Sequence, residues 1–519
     1  MEDDLKGTKV VRSKYSENQP CKGVQEFFDN RGIKSFTKIE ECYNYIGPLG
    51  RAQICYLVVL SLLNLLSAYN FLMAVFLLVV PEWECKAGKV CVEDMCKMPR
   101  ENWDWVRSDR TMVSYFELQC DSSYAILASS LFFVPGTVVG LAVSGYLSDK
   151  YGRKKTLLSS IILSLILAIG QTFSSSYPLF LTLRTLSGVT SVAYMSIHIT
   201  YRDEFFPSTK RPVCYFLGLL FKTAGLLLLA GVYEMFTSWR ALNGASAILL
   251  AVPLLAIFVP ESPHWLLTNS TTQETTDVLL KMARFNLGPD HGLREEHFQL
   301  KKVSEGGESG DVMMIIRNRA FLITTLKFFF HWFVTSLLYY GFYYALDALS
   351  GSVSINFMIM GALELPMAAA TAVMMDKIGR RKTLFVNLLL VMICCGLSLL
   401  KVSLVGAWTV KRVASIVGSK WGVAAMFMIV YMYTNEVMPT SIRSTGLHMC
   451  SICARIGAFI APYLVKACND SSYYLLNSLC VLLCGVAILL TLGLPETKDK
   501  TLRANLNDEG EVFRDDEKL

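Results

Sequence analysis

Apolar residues occur in twelve runs along this chain, and polar segments separate them. Each run holds about 20 residues, the length that a helix needs to cross a hydrocarbon core roughly 30 Å thick. The pattern therefore predicts an all-α membrane protein with twelve transmembrane helices. The runs lie near residues 54–80, 123–147, 156–174, 178–198, 213–236, 242–259, 321–346, 355–375, 383–404, 410–433, 445–466 and 473–494.

A long polar stretch divides the runs into two groups of six. This stretch, 261–317, is predicted to be a linker. The two six-helix halves are then 53–260 and 318–496, flanked by polar tails at 1–52 and 497–519. The first tail lacks the short apolar core of a signal peptide, so we expect it to be a soluble segment.

The composition favours a membrane protein and argues against other classes. Hydrophobic residues make up 53% of the chain and charged residues 18%, whereas about a quarter of a soluble domain is charged. The net charge of +6 comes from basic residues between the apolar runs, so we expect no nucleic-acid partner. No catalytic constellation, phosphate-binding loop or metal-ligand spacing stands out, and we expect neither an enzyme nor a cofactor.

Basic residues determine the predicted orientation in the membrane. Clusters of Lys and Arg at 150–155 and 377–382 follow the second and eighth runs, and such clusters stay on the cytoplasmic side. With an even number of helices, both termini are then cytoplasmic, and the loop 81–121 faces the outside of a plasma membrane. Four cysteines in an oxidising compartment predict two disulfide bonds, whose pairing stays open. They are Cys85, Cys91, Cys96 and Cys120.

Three motifs of the first half recur in the same order in the second half. Such repeats indicate two parallel six-helix pseudo-repeats, with a solute site at their interface near the bilayer midplane. The segment 145–155 (GYLSDKYGRKK) recurs at 372–382 (AVMMDKIGRRK), 204–211 (EFFPSTKR) recurs at 436–443 (EVMPTSIR), and Pro-Glu at 260–261 recurs at 495–496.

The repeated motifs combine glycines, which permit tight turns, with acids near arginines. Asp149 stands near the start of the next helix, where the helix dipole favours a carboxylate. We expect the charged residues to form a cytoplasmic gate that ties helices together; the alternative is that they only anchor loops in lipid headgroups. The predicted gate residues are Gly145, Asp149, Gly152, Arg153, Glu204, Arg211, Glu261, Asp376, Gly379, Arg380, Glu436, Arg443 and Glu496.

Three ionisable residues are predicted to lie deep in the membrane. Counted from the cytoplasmic helix ends at 1.5 Å per residue, Arg455 and Glu364 lie about 18 Å deep and Lys222 about 16 Å deep. An ionisable group near the midplane costs at least about 2.5 kcal/mol, so each is a candidate for substrate binding. The alternative is a structural Arg455–Glu364 salt bridge, with Lys222 reaching towards the membrane surface.

Four further segments are distinctive, namely 115–121 (YFELQCD), 261–266 (ESPHWL), 332–341 (WFVTSLLYYG) and 436–443 (EVMPTSIR). With the repeated motifs, they resemble the major facilitator superfamily and, within it, the organic cation/anion/carnitine transporter family. The resemblance covers nearly the whole chain. It implies that Trp332, Tyr339 and Tyr340 of the aromatic seventh run face the substrate pocket.

The resemblance implies a secondary transporter that moves small organic ions by alternating access through the lipid bilayer. Whether transport is driven by a coupling ion or by an exchange anion stays open. In having Arg455 in helix 11, the chain resembles the anion and carnitine carriers of the family, because the cation carriers have an acid at this position. Ala368 argues against an anion, because the anion carriers often have a basic residue at this position of helix 8. We expect an organic anion first, a carnitine-like zwitterion second and an organic cation third. A non-transporting membrane sensor is the alternative of a different class, and a channel fits the repeats less well.

Overall fold

The computed structural model describes residues 27–28, 35–86, 95–118, 123–207, 210–236, 238–289, 292–300, 319–345, 352–399, 407–438, 443–471 and 473–498. Most of these residues are helical. Four helices lie outside the apolar runs, namely α1 Ile39–Ile46, α3 Met112–Tyr115, α9 Pro263–Asn269 and α10 Thr272–Leu287. The helices that correspond to the runs are α2 Arg51–Leu77, α4 Ser123–Tyr151, α5 Arg153–Thr172, α6 Tyr177–Asp203, α7 Arg211–Met235, α8 Trp239–Ala251, α11 Arg319–Tyr344, α12 Val353–Ile378, α13 Arg380–Leu399, α14 Ala407–Val437, α15 Arg443–Ser471 and α16 Tyr473–Leu492.

In the part of the chain that the structure describes, nine helices are long and apolar enough to cross a membrane. One of them is α8, which continues as a 3-10 helix over Val252–Phe258. Three other long helices, α4, α6 and α14, bring the number of candidate spans to twelve. Helix α6 is less apolar because it carries Arg184, Arg202 and Asp203.

The two sets of six helices repeat the same neighbours. In the first set α2 packs against α7 and α5 against α6; in the second, α11 packs against α15 and α13 against α14. The sets meet along two helix pairs, α7 with α12 and α4 with α15. The interface between the halves therefore runs past the helices that carry Lys222, Glu364 and Arg455.

Helices α4 and α6 approach each other closely because glycines face each other at their contact. A Cβ atom on Gly136 would lie 2.1 Å from the carbonyl oxygen of Thr185, and one on Gly188 would lie 2.2 Å from that of Phe133. Small residues of this kind let membrane helices bring their backbones together. The contact fixes the side chains that flank it, including Phe133 and Arg184.

The segment predicted to lie outside the membrane has its own small core. Strand β1 Trp83–Cys85 pairs antiparallel with β2 Trp103–Trp105, and the indole rings of Trp103 and Trp105 are buried against each other. Cys85 and Cys96 are each disulfide-bonded. The other two cysteines of the prediction, Cys91 and Cys120, lie outside the described residues.

On the side predicted to be cytoplasmic, the segment before α2 packs against the segment that follows α8. Phe36 forms a parallel β-bridge with Phe298, and its amide donates to the carbonyl of His297 at 2.8 Å. Asn286, near the end of α10, accepts a 2.8 Å hydrogen bond from the amide of Ala52. That amide belongs to the first turn of α2, so Asn286 satisfies one of the donors that a helix start leaves free.

Candidate transport site and gate

Glu364 is the centre of a buried hydrogen-bonded cluster. Its side chain, on α12, is 2% exposed. Oε1 accepts hydrogen bonds from Tyr339 Oη at 2.6 Å and from Tyr343 Oη at 3.2 Å, both on α11. Oε2 accepts from Lys222 Nζ of α7 at 3.1 Å. These hydrogen bonds offset the cost of burying the charged carboxylate.

The ion pair of Lys222 with Glu364 joins the first half of the chain to the second. The alternative prediction, in which Glu364 pairs with Arg455 and Lys222 reaches towards the membrane surface, is not what the structure has. The reason is the packing of α7 on α12: Leu226 lies so close to Gly361 that a Cβ on the glycine would be 3.2 Å away. These two residues are one helical turn from Lys222 and Glu364, so the contact brings the charged side chains together.

Arg455, on α15, is buried and its charge is not paired. It is 9% exposed and forms no ion pair with any residue that the structure describes. Its guanidinium group lies 5.0 Å from the centre of the Phe71 ring of α2, and its Nε has no hydrogen-bond partner. An aromatic face attracts a cation but does not neutralise it. The positive charge therefore stays available at the interface between the halves.

Aromatic residues from two helices surround the Glu364 cluster. Trp332 donates a 3.0 Å hydrogen bond to a threonine hydroxyl of α14, and the rings of Tyr339 and Tyr340 lie 5.3 Å apart. Helix α14 adds Phe427, 5.0 Å from Tyr339, and Tyr431, 5.6 Å from Trp332. The aromatic content of α11 was visible in the sequence, whereas the contribution of α14 depends on how the two helices pack.

In the first half, Arg153 connects the acids of the repeated motifs. Its guanidinium donates to Glu204 Oε1 at 3.2 Å and to Asp149 Oδ1. The backbone amides of Arg153 and of the next residue each donate to Glu261 Oε1 at 3.1 Å, which places a carboxylate at the N-terminus of α5, where the helix dipole favours it. Gly152 has φ 106°, and a Cβ there would lie 2.4 Å from the Glu261 carboxylate.

The second half has the same arrangement at the equivalent positions. Arg380 donates to Glu436 Oε1 from Nη2 at 2.8 Å and to Glu436 Oε2 from Nε at 2.9 Å. Its backbone amide donates to Glu496 Oε1 at 2.9 Å. Gly379 has φ 90°, and a Cβ there would lie 2.7 Å from the Glu496 carboxylate. Both clusters connect loops within one half of the chain.

The remaining gate candidates are placed differently. Asp376 is exposed and forms no ion pair with the described residues, whereas its counterpart Asp149 pairs with an arginine. Arg211 is exposed at the start of α7 and is likewise without an ion pair in the described part of the chain. Gly145 lies where α4 faces α15. The side chain of Arg443 lies outside the described residues.

The sequence prediction missed a second buried cation, Arg184 of α6, which is 1% exposed. A signal was present, because an arginine inside the apolar run 178–198 is by default a functional candidate. Phe71 and Phe133, which line the space between Arg184 and Arg455, gave no such signal, since phenylalanine is common in membrane helices. No group of three or more metal-ligating side chains occurs among the described residues.

Comparisons with known proteins identify the fold and the family. Residues 83–505 match the family model described as sugar (and other) transporter. Solute carrier family 22 member 7 of Bos taurus is 30% identical over 418 residues, which cover 79% of this chain and 75% of that protein. Organic cation/carnitine transporter 4 of Arabidopsis thaliana is 28% identical over 481 residues, 89% of each chain.

The solved structures agree on the fold. The inward-open conformation of the xylose transporter XylE from E. coli matches 87% of this chain and 98% of its own length, with a TM-score of 0.63 and 17% identity. This likeness confirms the predicted architecture of twelve transmembrane helices in two six-helix pseudo-repeats, and the family match confirms a transporter rather than an enzyme. The chain therefore belongs to the major facilitator superfamily and, within it, to solute carrier family 22.

Proposed function

We propose that this carrier moves small amphiphilic organic anions across the plasma membrane by alternating access. The observation that supports the proposal is the unpaired charge of Arg455, since the other predicted mid-membrane cation, Lys222, is neutralised by Glu364. A buried charge is costly unless it is paired. A substrate carboxylate or sulfonate would supply the missing partner through two parallel, charge-assisted hydrogen bonds.

Aromatic side chains shape the rest of the proposed site. Phe71 lies against Arg455, and Trp332, Tyr339 and Tyr340 follow along α11. Flat apolar walls with a few polar tips suit the body of an amphiphilic ion. Glu364 accepts hydrogen bonds from Lys222 and from two tyrosine hydroxyls. These donors compensate its negative charge, so the carboxylate repels an approaching anion less.

The two arginine–carboxylate clusters serve as the cytoplasmic gate in this proposal. Each of them ties the loops of one half together, around Arg153 in the first half and Arg380 in the second. Each half can then move as one body while the interface between the halves opens on alternate sides of the bound solute.

The proposed orientation places both termini, the linker 261–317 and the basic loops in the cytoplasm. The disulfide-bonded Cys85 and Cys96 support it, because disulfide bonds persist in oxidising compartments such as the cell exterior. The segment that contains them follows α2, on the side of the membrane opposite to the basic loops.

Uptake assays with labelled organic anions, carnitine and organic cations in expressing cells test the proposal. We expect anion uptake that Arg455→Asp abolishes. Arg455→Lys should also reduce uptake substantially, because an ammonium group cannot reproduce the planar fork of a guanidinium. Anion uptake that survives Arg455→Asp at normal surface abundance would refute the role of Arg455, and the absence of uptake for every solute would favour a membrane sensor.

A carnitine-like zwitterion is the second candidate substrate. It would place its carboxylate at Arg455 and its quaternary ammonium against an aromatic face, which attracts such cations. The name of the Arabidopsis relative, organic cation/carnitine transporter 4, and the rings of Tyr340, Phe427 and Tyr431 favour this candidate. Carnitine uptake that exceeds the uptake of every simple anion would identify it.

A further inference from the structure

Arg184 carries a second positive charge that the structure leaves without a counter-charge. Its side chain is 1% exposed, its Nη2 donates to the carbonyl oxygen of Asn70 at 3.0 Å, and its Nη1 has no hydrogen-bond partner. No carboxylate of the described residues forms an ion pair with it. Because a guanidinium keeps its proton even when buried, Arg184 remains a cation in this position.

Two aromatic rings connect Arg184 to Arg455. The guanidinium of Arg184 lies 4.5 Å from the centre of the Phe133 ring. The Phe133 ring meets that of Phe71 at 5.1 Å and an interplanar angle of 90°, and Phe71 in turn faces Arg455 at 5.0 Å. The four side chains form a continuous stack of cation, ring, ring and cation that crosses from the first half of the chain to the second.

The position of Arg184 is fixed by its surroundings. Gly188, one helical turn further along α6, packs directly on the backbone of Phe133, so the arginine and the ring cannot move apart without separating α4 from α6. Asn70, whose carbonyl accepts the hydrogen bond, is itself held by Ser246 at 2.7 Å and by Tyr194 at 3.3 Å. The charge of Arg184 is therefore a permanent feature of the first half.

The structure shows which of the deep ionisable residues have a counter-charge. Lys222 and Glu364 compensate each other, so among the described side chains in the middle of the helices Arg455 and Arg184 remain as unpaired cations. We propose that Arg184 is a specificity-determining residue: its fixed charge makes the Arg455 site more attractive to anions than to neutral solutes of the same shape, without contact between Arg184 and the substrate. This inference rests on the proposed transport of organic anions.

The expected size of the effect follows from the distances. The three stacking contacts together measure about 15 Å, which is the largest distance that can separate the two guanidinium groups. An elementary charge at that distance, acting through an effective dielectric constant near 20, changes the affinity for an anion about sixfold. It leaves the affinity for an uncharged molecule almost unchanged. A residue with a purely structural role would instead affect both kinds of solute alike.

The test compares naphthoate with its neutral analogue naphthamide on the full-length carrier in lipid nanodiscs. The measured quantity is the ratio of their dissociation constants. Arg184→Gln should lower the preference for naphthoate about sixfold, whereas Arg184→Lys, which keeps the charge, should retain most of it. An unchanged ratio in a folded Arg184→Gln protein would overturn the inference.

A second variant keeps the test decisive if Arg184→Gln does not fold. Asn70→Asp is nearly isosteric, and both Tyr194 and Ser246 can donate to the new carboxylate, which would compensate Arg184 in place. It should lower the preference for naphthoate as Arg184→Gln does. Asn70→Ala is the control, because it removes the side-chain hydrogen bonds of Asn70 with Ser246 and Tyr194 without adding a charge, and it should leave the ratio unchanged. Equal ratios for the Asp and Ala variants would overturn the inference.

The wild-type protein separates failure of this inference from failure of the proposed function. If it binds naphthoate no better than naphthamide, the proposed preference for anions is wrong, and the role of Arg184 fails with it. If it prefers naphthoate and neither charge-changing variant alters the preference, the role of Arg184 alone is wrong.

Discussion

Replacing Lys222 by Met should destabilise the folded carrier, and replacing Glu364 by Gln in the same chain should restore most of the loss. The ammonium of Lys222 donates to the buried Glu364 carboxylate, which also accepts from the hydroxyls of Tyr339 and Tyr343. Its removal takes away the positive charge of this ion pair and leaves the negative charge of Glu364 inside the helices. Gln keeps the shape of Glu364 but carries no charge, so the double variant has no uncompensated carboxylate.

The expected magnitude follows from the burial of the two partners. Breaking a fully buried ion pair costs about 3–5 kcal/mol. Glu364 is 2% exposed, but the side chain of Lys222 is 36% exposed, and solvent near it reduces the cost. We therefore expect Lys222→Met to lower the free energy of unfolding by about 2–3 kcal/mol and the two substitutions to be coupled by about 2 kcal/mol.

A double-mutant cycle on purified protein measures this coupling. Unfolding in mixed micelles of a mild detergent and dodecyl sulfate, followed by tryptophan fluorescence, gives the free energy for the wild type, both single variants and the double variant. Lys155→Met is the matched control, because Lys155 is an exposed lysine whose effect should add to that of Glu364→Gln within about 0.5 kcal/mol. A coupling this small between Lys222 and Glu364 would refute the reasoning.

Three further predictions concern the gate and the cysteines. Glu436→Gln should lower uptake several-fold per carrier at the cell surface, because Arg380 loses its charged acceptor. Asp376→Asn should change uptake little, because Asp376 is exposed. Equal losses of uptake in the two variants would contradict this prediction. Maleimide applied to intact cells should label Cys85 and Cys96 only after reduction, since both are disulfide-bonded, and labelling without reductant would count against it. Burial raises the pKa of the Cys42 thiol, and the thiolate is the form that reacts with maleimide. In permeabilised cells the labelling of Cys42 should therefore stay slow from about pH 7 to about pH 9 and become fast when the protein unfolds. Fast labelling of the folded protein would contradict this prediction.

The sequence by itself determined the spans and the repeated loops, because both depend on interactions within short stretches of chain. A helix that crosses a bilayer needs about 20 apolar residues, and the run predicted near 213–236 corresponds to helix α7, Arg211–Met235. Arg153 and Asp149 stand four residues apart on either side of the turn at Gly152, so their pairing also depends only on a short stretch of chain. The turn glycines could be recognised because few other residues adopt a positive φ.

Only the tertiary structure decided which charges are paired. Arg455 and Lys222 have similar predicted depths in the membrane, and depth along a helix does not tell which helix face meets which neighbour. The packing of α7 on α12 brings Lys222 within hydrogen-bond distance of Glu364. Arg455 instead faces an aromatic ring of the other half. The close packing of α4 on α6 places Arg184 against the ring of Phe133, which in turn contacts the ring of Phe71 that Arg455 faces. Which residue carries the uncompensated positive charge at the candidate site is therefore a property of helix packing, which the spacing of residues along the chain does not contain.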